Sequence, residues 1–193
     1  MNEQSVVLVK PDGVKRGLVG KIISRFEEAG LKLVAMKMIW VDEDHVGKHY
    51  SDDPANLKVM GDKTLETYAK YGKDANETLG TDDPEKIGAM IRKWNMEFLS
   101  SGPVLAIILE GVHAVSTVRK IVGSTLPYSA EPGSIRGTYS IDSPALANEK
   151  MRSVRNLIHA SGNVEEAEFE VKLWFHENEI YAYKRVDEEV MFD

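Results

Sequence analysis

One histidine, His159, stands between the short apolar run Leu157-Ile158 and a segment that carries the marks of a helix start. Asn163 is a good N-cap, and Glu166, three residues on, can reach back to it in a variant of the capping box. Val164, Ala167, Val171 and Trp174 then recur at helical spacing and predict one buried stripe. That places His159 where backbone N–H groups and the positive end of a helix favour an anion. A neutral imidazole in such a place is a nucleophile toward phosphorus, and Glu170 on the same helix can orient its other nitrogen. Taken alone, the segment is equally consistent with a histidine packed at a strand end with both nitrogens satisfied.

Cationic side chains elsewhere favour the chemical alternative. Ser5-Val6-Val7-Leu8-Val9 predicts a buried strand that delivers Lys10-Pro11-Asp12-Gly13-Val14 into a turn. A lysine there, before a helix, is well placed to meet a phosphate. Gly20-Lys21 is not a Walker A site, because position 15 is lysine and Ile22 replaces the required hydroxyl residue. Arg119 falls in a helix whose apolar positions include Val115, Val118 and Val122, Thr125 follows it, and Arg136 comes just after Pro132-Gly133. Two arginines, a lysine and a threonine hydroxyl on separate loops can clamp a polyphosphate, the arginine fork matching its oxygens in pairs. Any one of these cations alone reads more simply as a solvated surface charge.

Together the motifs resemble the nucleoside diphosphate kinase family. The matching elements are Val9 to Val14, His49-Tyr50, Ser101-Gly102-Pro103-Val104, Arg119 to Pro127, Pro132 to Gly137, and Asn156 through Phe175. They run in the family's order over nearly the whole chain. The family signature Asn-x-x-His-Gly-Ser-Asp survives at Asn156, His159 and Ser161, with Ala160 and Gly162 in place of its Gly and Asp.

The resemblance implies that His159 takes the γ-phosphoryl group of a nucleoside triphosphate such as ATP and passes it to a nucleoside diphosphate, a ping-pong route through phosphohistidine. It implies that Glu170 orients the imidazole with support from Ser161. By the same resemblance Lys10, Arg119, Thr125 and Arg136 would bind phosphate, Asn156 the ribose and β-phosphate region, and Tyr50 would abut the transferring group. It further implies Mg²⁺ carried by substrate phosphates rather than by a protein cage, and a homo-oligomer, tetramer or hexamer. The glycine at 162 leaves any protein contribution to metal binding there open. A non-catalytic nucleotide-binding module on the same fold is the alternative that the changes flanking Ser161 leave standing. An RNA-binding domain is disfavoured by the lack of strand-borne aromatics and by the acidic charge.

The elements that must position these residues read β-α-β, then α, β, α, β, the ferredoxin-like βαββαβ pattern of an α+β sandwich, an antiparallel sheet covered by helices. Helix one is predicted over about Leu18 to Ala29, with Leu18, Ile22, Phe26 and Ala29 inward and Gly30 closing it. Strand two is predicted over about Leu31 to Trp40 and strand three over Val104 to Leu109. A helix over about Pro84 to Ser100 starts from Asp83 and puts Ile87, Ile91, Trp94 and Phe98 on one core face. One domain is expected, with a lid segment inserted at about 51–83 and a helix at about 142–155. Tyr68 and Tyr71 read as packing within the first insert rather than as a platform for the base. In the second, Ser143 and Pro144 start a helix that turns Ala147, Met151 and Val154 inward. Lys150, Arg152 and Arg155 then suit the negative end of its dipole better than a phosphate. His45 and His49, at i and i+4, lack an acidic third ligand in a zinc pattern.

With 193 residues the chain is large enough to bury roughly 70% of its unfolded surface in one core. Zero cysteines and no N-terminal apolar leader predict a cytoplasmic protein. The longest apolar run, Val104 to Leu109, is far short of a membrane span, so no membrane is expected. A net charge of −7 speaks against a nucleic-acid-binding surface and requires any nucleotide site to gather its positive charge locally.

Overall fold

The computed structural model describes residues 2–192. A four-stranded antiparallel sheet forms the centre: β1 (Asn2–Val9), β2 (Lys32–Ile39), β3 (Val104–Val112) and β4 (Ile158–Ala160), in the order β2-β3-β1-β4. This is the ferredoxin-like arrangement expected. Helices α1 (Pro11–Lys15) and α2 (Val19–Glu28) precede β2. Then come α3 (Glu43–His49), α4 (Pro54–Lys70), α5 (Ala75–Leu79) and α6 (Pro84–Leu99). After β3 follow α7 (Ala114–Val122), α8 (Ile135–Tyr139), α9 (Pro144–Glu149), α10 (Val164–Trp174) and α11 (Glu188–Phe192). Among the described residues, no helix is long and apolar enough to cross a membrane.

Both faces of the sheet are covered, so its strands are apolar on both sides. Odd positions of the central pair, Val7, Val9, Leu105, Ile107 and Leu109, pack with Ile22 and Phe26 of α2 and Val118 and Val122 of α7. Even positions, Val6, Leu8, Val104, Ala106 and Ile108, pack with Val46, Leu99, Trp174 and Phe175 on the other face. Side chains this completely buried contribute about 1.5–3 kcal/mol each. β1 and β3 both run beyond their apolar stretches, because the polar positions 2–4 pair with 110–112 and continue the ladder.

Capping residues mark the helix starts in chain order. Asp83 takes the N–H groups of Glu85 and Lys86, Ser143 that of Leu146, and Asn163 that of Glu166. Gly30, at φ 83°, lets Leu31 N–H reach back to the Phe26 carbonyl and ends α2. Several local expectations fail. Tyr71 is exposed instead of packed within its insert, because it lies beyond the end of α4. Ala29 lies beyond the last turn of α2 and is exposed. Val164 is exposed because it opens α10, before the stripe meets the sheet. α9 stops at Glu149 and Met151 turns outward in a left-handed conformation at φ 48°, so only Ala147 of its expected stripe is fully buried. Glu166 reaches back one residue further than a capping box would, accepting the N–H of Gly162 at 3.0 Å.

The polar segment after Tyr50 forms α4 and α5, which build a small core with α6 from Tyr68, Ala75, Leu79, Ile87 and Trp94. Two glycines let α4 and α6 cross closely. A Cβ on Gly61 would stand 1.8 Å from the Pro84 carbonyl oxygen, and one on Gly88 1.9 Å from that of Leu57. Alanine for glycine inside a helix ordinarily gains about 1 kcal/mol. Here Gly88→Ala should instead cost about 2 kcal/mol, since overpacking backbone against backbone cannot relax through rotamers. Urea unfolding reads the sign, and an increase in stability would show that the helices do not cross at this point.

Candidate active site

His159 sits in β4 opposite Leu8 of β1, so its position is fixed by the ladder. Its Nε2 lies 2.6 Å from Glu170 Oε1, and the Ser161 hydroxyl donates to the other oxygen of Glu170, Oε2, also at 2.6 Å. Ser161 is itself locked, its Oγ accepting the Val6 N–H at 3.0 Å and its N–H donating to the Val6 carbonyl. Glu170 is 2% exposed, facing inward from α10 toward β1. Burial pushes its carboxyl up, while His49 and the Ser161 hydroxyl pull it back. A carboxylate accepts only, so the imidazole carries its proton on Nε2 and leaves Nδ1 as a bare lone pair.

The ring stays neutral over a wide pH range. Burial first, and then Lys10, Arg136 and Arg119, hold His159 down at about 3. The cations that disfavour a charged imidazole are those that would favour an anion in front of it.

Each cation is held differently. Lys10 leaves the end of β1 and donates from Nζ to Asn156 Oδ1 at 2.9 Å. Asn156 passes the link on, Nδ2 donating to the Thr125 carbonyl at 3.0 Å. Burial, with Arg136, lowers Lys10 to about 8. Arg136 is buried in α8 and donates to three backbone carbonyls, those of Asn156, Gly123 and Ile158. It thereby ties the loop before β4 to the end of α7. Arg119, in the last turn of α7, donates no hydrogen bond to the protein among the described residues. Thr125 is exposed, with its carbonyl used and its side chain outward.

Tyr50 closes α3. Its carbonyl accepts from Arg92 Nε at 2.9 Å, and burial, with Glu170 nearby, pushes its phenol well above the usual range, so the hydroxyl stays protonated. Apart from the Thr125 side chain, the expected residues thus come together from the end of β1, α3, α7, α8, the loop before β4, β4 and α10.

Other contributors lie in the matched motifs without having been given a role in the site. His49 meets the His159 ring edge-on, centroids 4.5 Å apart, and takes the Trp174 Nε1–H on its Nδ1 at 3.4 Å. His49, itself held by Trp174, walls one side of the imidazole. Burial holds His49 at about 3, hence neutral. Asp12 accepts the N–H of Leu157, which lies in the left-handed region at φ 68°, and so shapes the approach to β4. The Arg155 guanidinium stacks on the Phe98 ring at 4.0 Å. It is Arg152 that pairs with Asp142, at 2.6 Å, rather than with the end of α9.

His49, His159 and Glu170 are the trio among the described residues whose ligand atoms lie within 4.8 Å of one another. Two imidazoles and one carboxylate suit zinc rather than magnesium, and the shared Oε1 is engaged by His159.

The family model described as "Nucleoside diphosphate kinase" matches residues 3–58 and 85–180. A nucleoside diphosphate kinase of Pyrobaculum aerophilum is 47% identical over 178 residues, 92% of this chain and 97% of its own. The crystal structure of an NDP kinase from that organism superposes with a TM-score of 0.92 at 45% identity, covering 94% of this chain and all of the other. A transition-state mimic of the Borreliella burgdorferi enzyme, with bound vanadate and ADP, gives a TM-score of 0.77 at 37% identity over 97% of this chain and 95% of its own. The chain belongs to the nucleoside diphosphate kinase family and is a phosphotransferase of that kind.

Proposed function

We propose that this kinase works through a phosphohistidine on His159. One observation carries most of the weight: the 2.6 Å contact between Nε2 and Glu170 Oε1, which leaves Nδ1 as the free lone pair of a ring that three cations act upon. In the first half-reaction the Nδ1 lone pair attacks the γ-phosphorus, the bond to the β–γ bridging oxygen breaks, and a nucleoside diphosphate leaves. In the second, a terminal oxygen of the acceptor diphosphate attacks the same phosphorus and the P–N bond breaks. Glu170 steadies the imidazole as it gains positive character, and Ser161 holds Glu170 in turn.

Lys10, Arg119, Arg136 and the Thr125 hydroxyl bind phosphate, Asn156 serves the ribose and β-phosphate, and Tyr50 borders the transferring group. Phosphoryl transfer asks mainly for positioning and charge stabilisation, and a cation at about 4 Å is worth on the order of 4 kcal/mol at an effective dielectric near 20. Mg²⁺ would be held by the substrate phosphates and water rather than by a protein cage, and would supply neutralisation of phosphate charge. Since these groups meet phosphate and sugar, the enzyme accepts nucleoside diphosphates and triphosphates of any base. Ala160 and Gly162 leave the His159–Glu170–Ser161 chain intact, which favours catalysis over a purely regulatory role.

Self-association as a tetramer or hexamer is supported by Met36, Met38 and Trp40, exposed along and just beyond the edge strand β2. A cytoplasmic setting accords with the absence of cysteine. Initial rates with both nucleotides varied should give parallel double-reciprocal lines. Intersecting lines would mean direct transfer in a ternary complex and would exclude the phosphoenzyme.

A further inference from the structure

Gly162 stands where the family signature carries an aspartate. The space its side chain would enter is already filled. A Cβ built there would lie 2.3 Å from Glu166 Oε2, 3.4 Å from Glu166 Cδ and 3.8 Å from Arg119 Nη1. The Glu166 carboxylate also accepts the Gly162 N–H at 3.0 Å. A carboxylate therefore does border Arg119, but it arrives from the first turn of α10 instead of from position 162.

Arg119 has need of it. Arg136 is fixed by three carbonyls and Lys10 by Asn156, whereas Arg119 has no hydrogen-bond acceptor in the protein among the described residues. Glu166 is half-buried. Burial and Glu170 push its carboxyl up, while the Gly162 N–H and Arg119 act the other way. The two side chains make no direct ion pair, and a single water, donating to the carboxylate and accepting from the guanidinium, spans such a gap.

We infer that Glu166 is a positioning residue for phosphoryl transfer: it supplies the carboxylate missing at 162 and holds the Arg119 guanidinium toward the space in front of His159. The inference rests on Arg119 acting as a phosphate clamp. A side chain at 162 would displace the Glu166 carboxylate from its place against the Gly162 N–H, so the two positions are coupled.

Five variants decide it: Glu166→Gln, Glu166→Ala, Gly162→Asp, the double variant Gly162→Asp/Glu166→Ala, and Arg119→Ala. Thermal midpoint, ADP affinity and kcat/KM are read for each. Glu166→Gln keeps an oxygen for the Gly162 N–H but loses the charge, so its midpoint should hold while KM for the diphosphate rises about fivefold. Gly162→Asp should lose about tenfold in kcat/KM, because its Cβ displaces the Glu166 carboxylate and sets a second negative charge beside it. The double variant should return to within about threefold of the parent, a non-additive rescue. Parental kinetics in Glu166→Gln would reduce Glu166 to a helix cap, and a double variant no better than its worse single would break the coupling. Either result overturns the inference. If Arg119→Ala itself binds ADP normally, the clamp assignment falls first, and the inference with it.

Discussion

Replacing His159 by alanine is expected to lower phosphoryl transfer by at least about 10⁴-fold, with the fold retained. No second group can take its place. His49 is the nearest imidazole, but its Nδ1 faces Trp174 and its ring meets His159 edge-on. The Ser161 hydroxyl is spent on Glu170 and Val6. Stability should change little, because the His159 side chain is partly exposed and Glu170 keeps its bond from Ser161. A His159→Ala protein that is folded, binds ADP and still transfers at a tenth of the parental rate would remove the histidine from the chemistry. Comparing steady-state rates and thermal midpoints of the two proteins checks both halves of the expectation.

Lys10→Met should cost about 10³-fold in kcat/KM, the equivalent of about 4 kcal/mol of lost charge stabilisation. Its thermal midpoint at pH 7 should not fall. Burial holds Lys10 at about 8 instead of 10.5, so the charged ammonium is kept in place at a cost to the folded state. Methionine of similar length removes that cost, although it leaves Asn156 Oδ1 without its donor. The same shift gives opposite pH trends for activity and stability. As pH rises through about 8, the free enzyme loses the Lys10 proton and its hold on phosphate, so kcat/KM falls. Between about 8 and 10.5 the unfolded chain holds more protons at this site than the native one, so this lysine's contribution to stability rises with pH. Below that window both forms are protonated and the penalty is fully present. His159, at about 3, adds no acidic limb of its own above about pH 4. An alkaline limb that persists unchanged in Lys10→Met would assign it to another group.

Much of the frame was legible because its signals are local. Asp83, Ser143 and Asn163 each precede a run with helical spacing, and each caps a helix start. The apolar runs of β1 and β3 are continuous because helices cover both faces of the sheet, and their polar ends were missed for the opposite reason. His159, Glu170 and the cations were legible through a motif order that spans the chain. What stayed hidden depends on pairs that meet only in three dimensions. Nothing local says that Trp174 on α10 holds His49 on α3, or that Glu166 fills the space beside Gly162. Met151 failed as a stripe residue because helical spacing cannot tell where a short helix stops.

The most direct test is to incubate the purified protein with γ-labelled ATP and Mg²⁺, without acceptor, and to map any label by peptide. The mechanism predicts acid-labile, base-stable phosphate on His159 at up to one group per chain, discharged as labelled triphosphate when GDP is added. A folded, ADP-binding protein that takes up no label, or carries it on another residue, would contradict it.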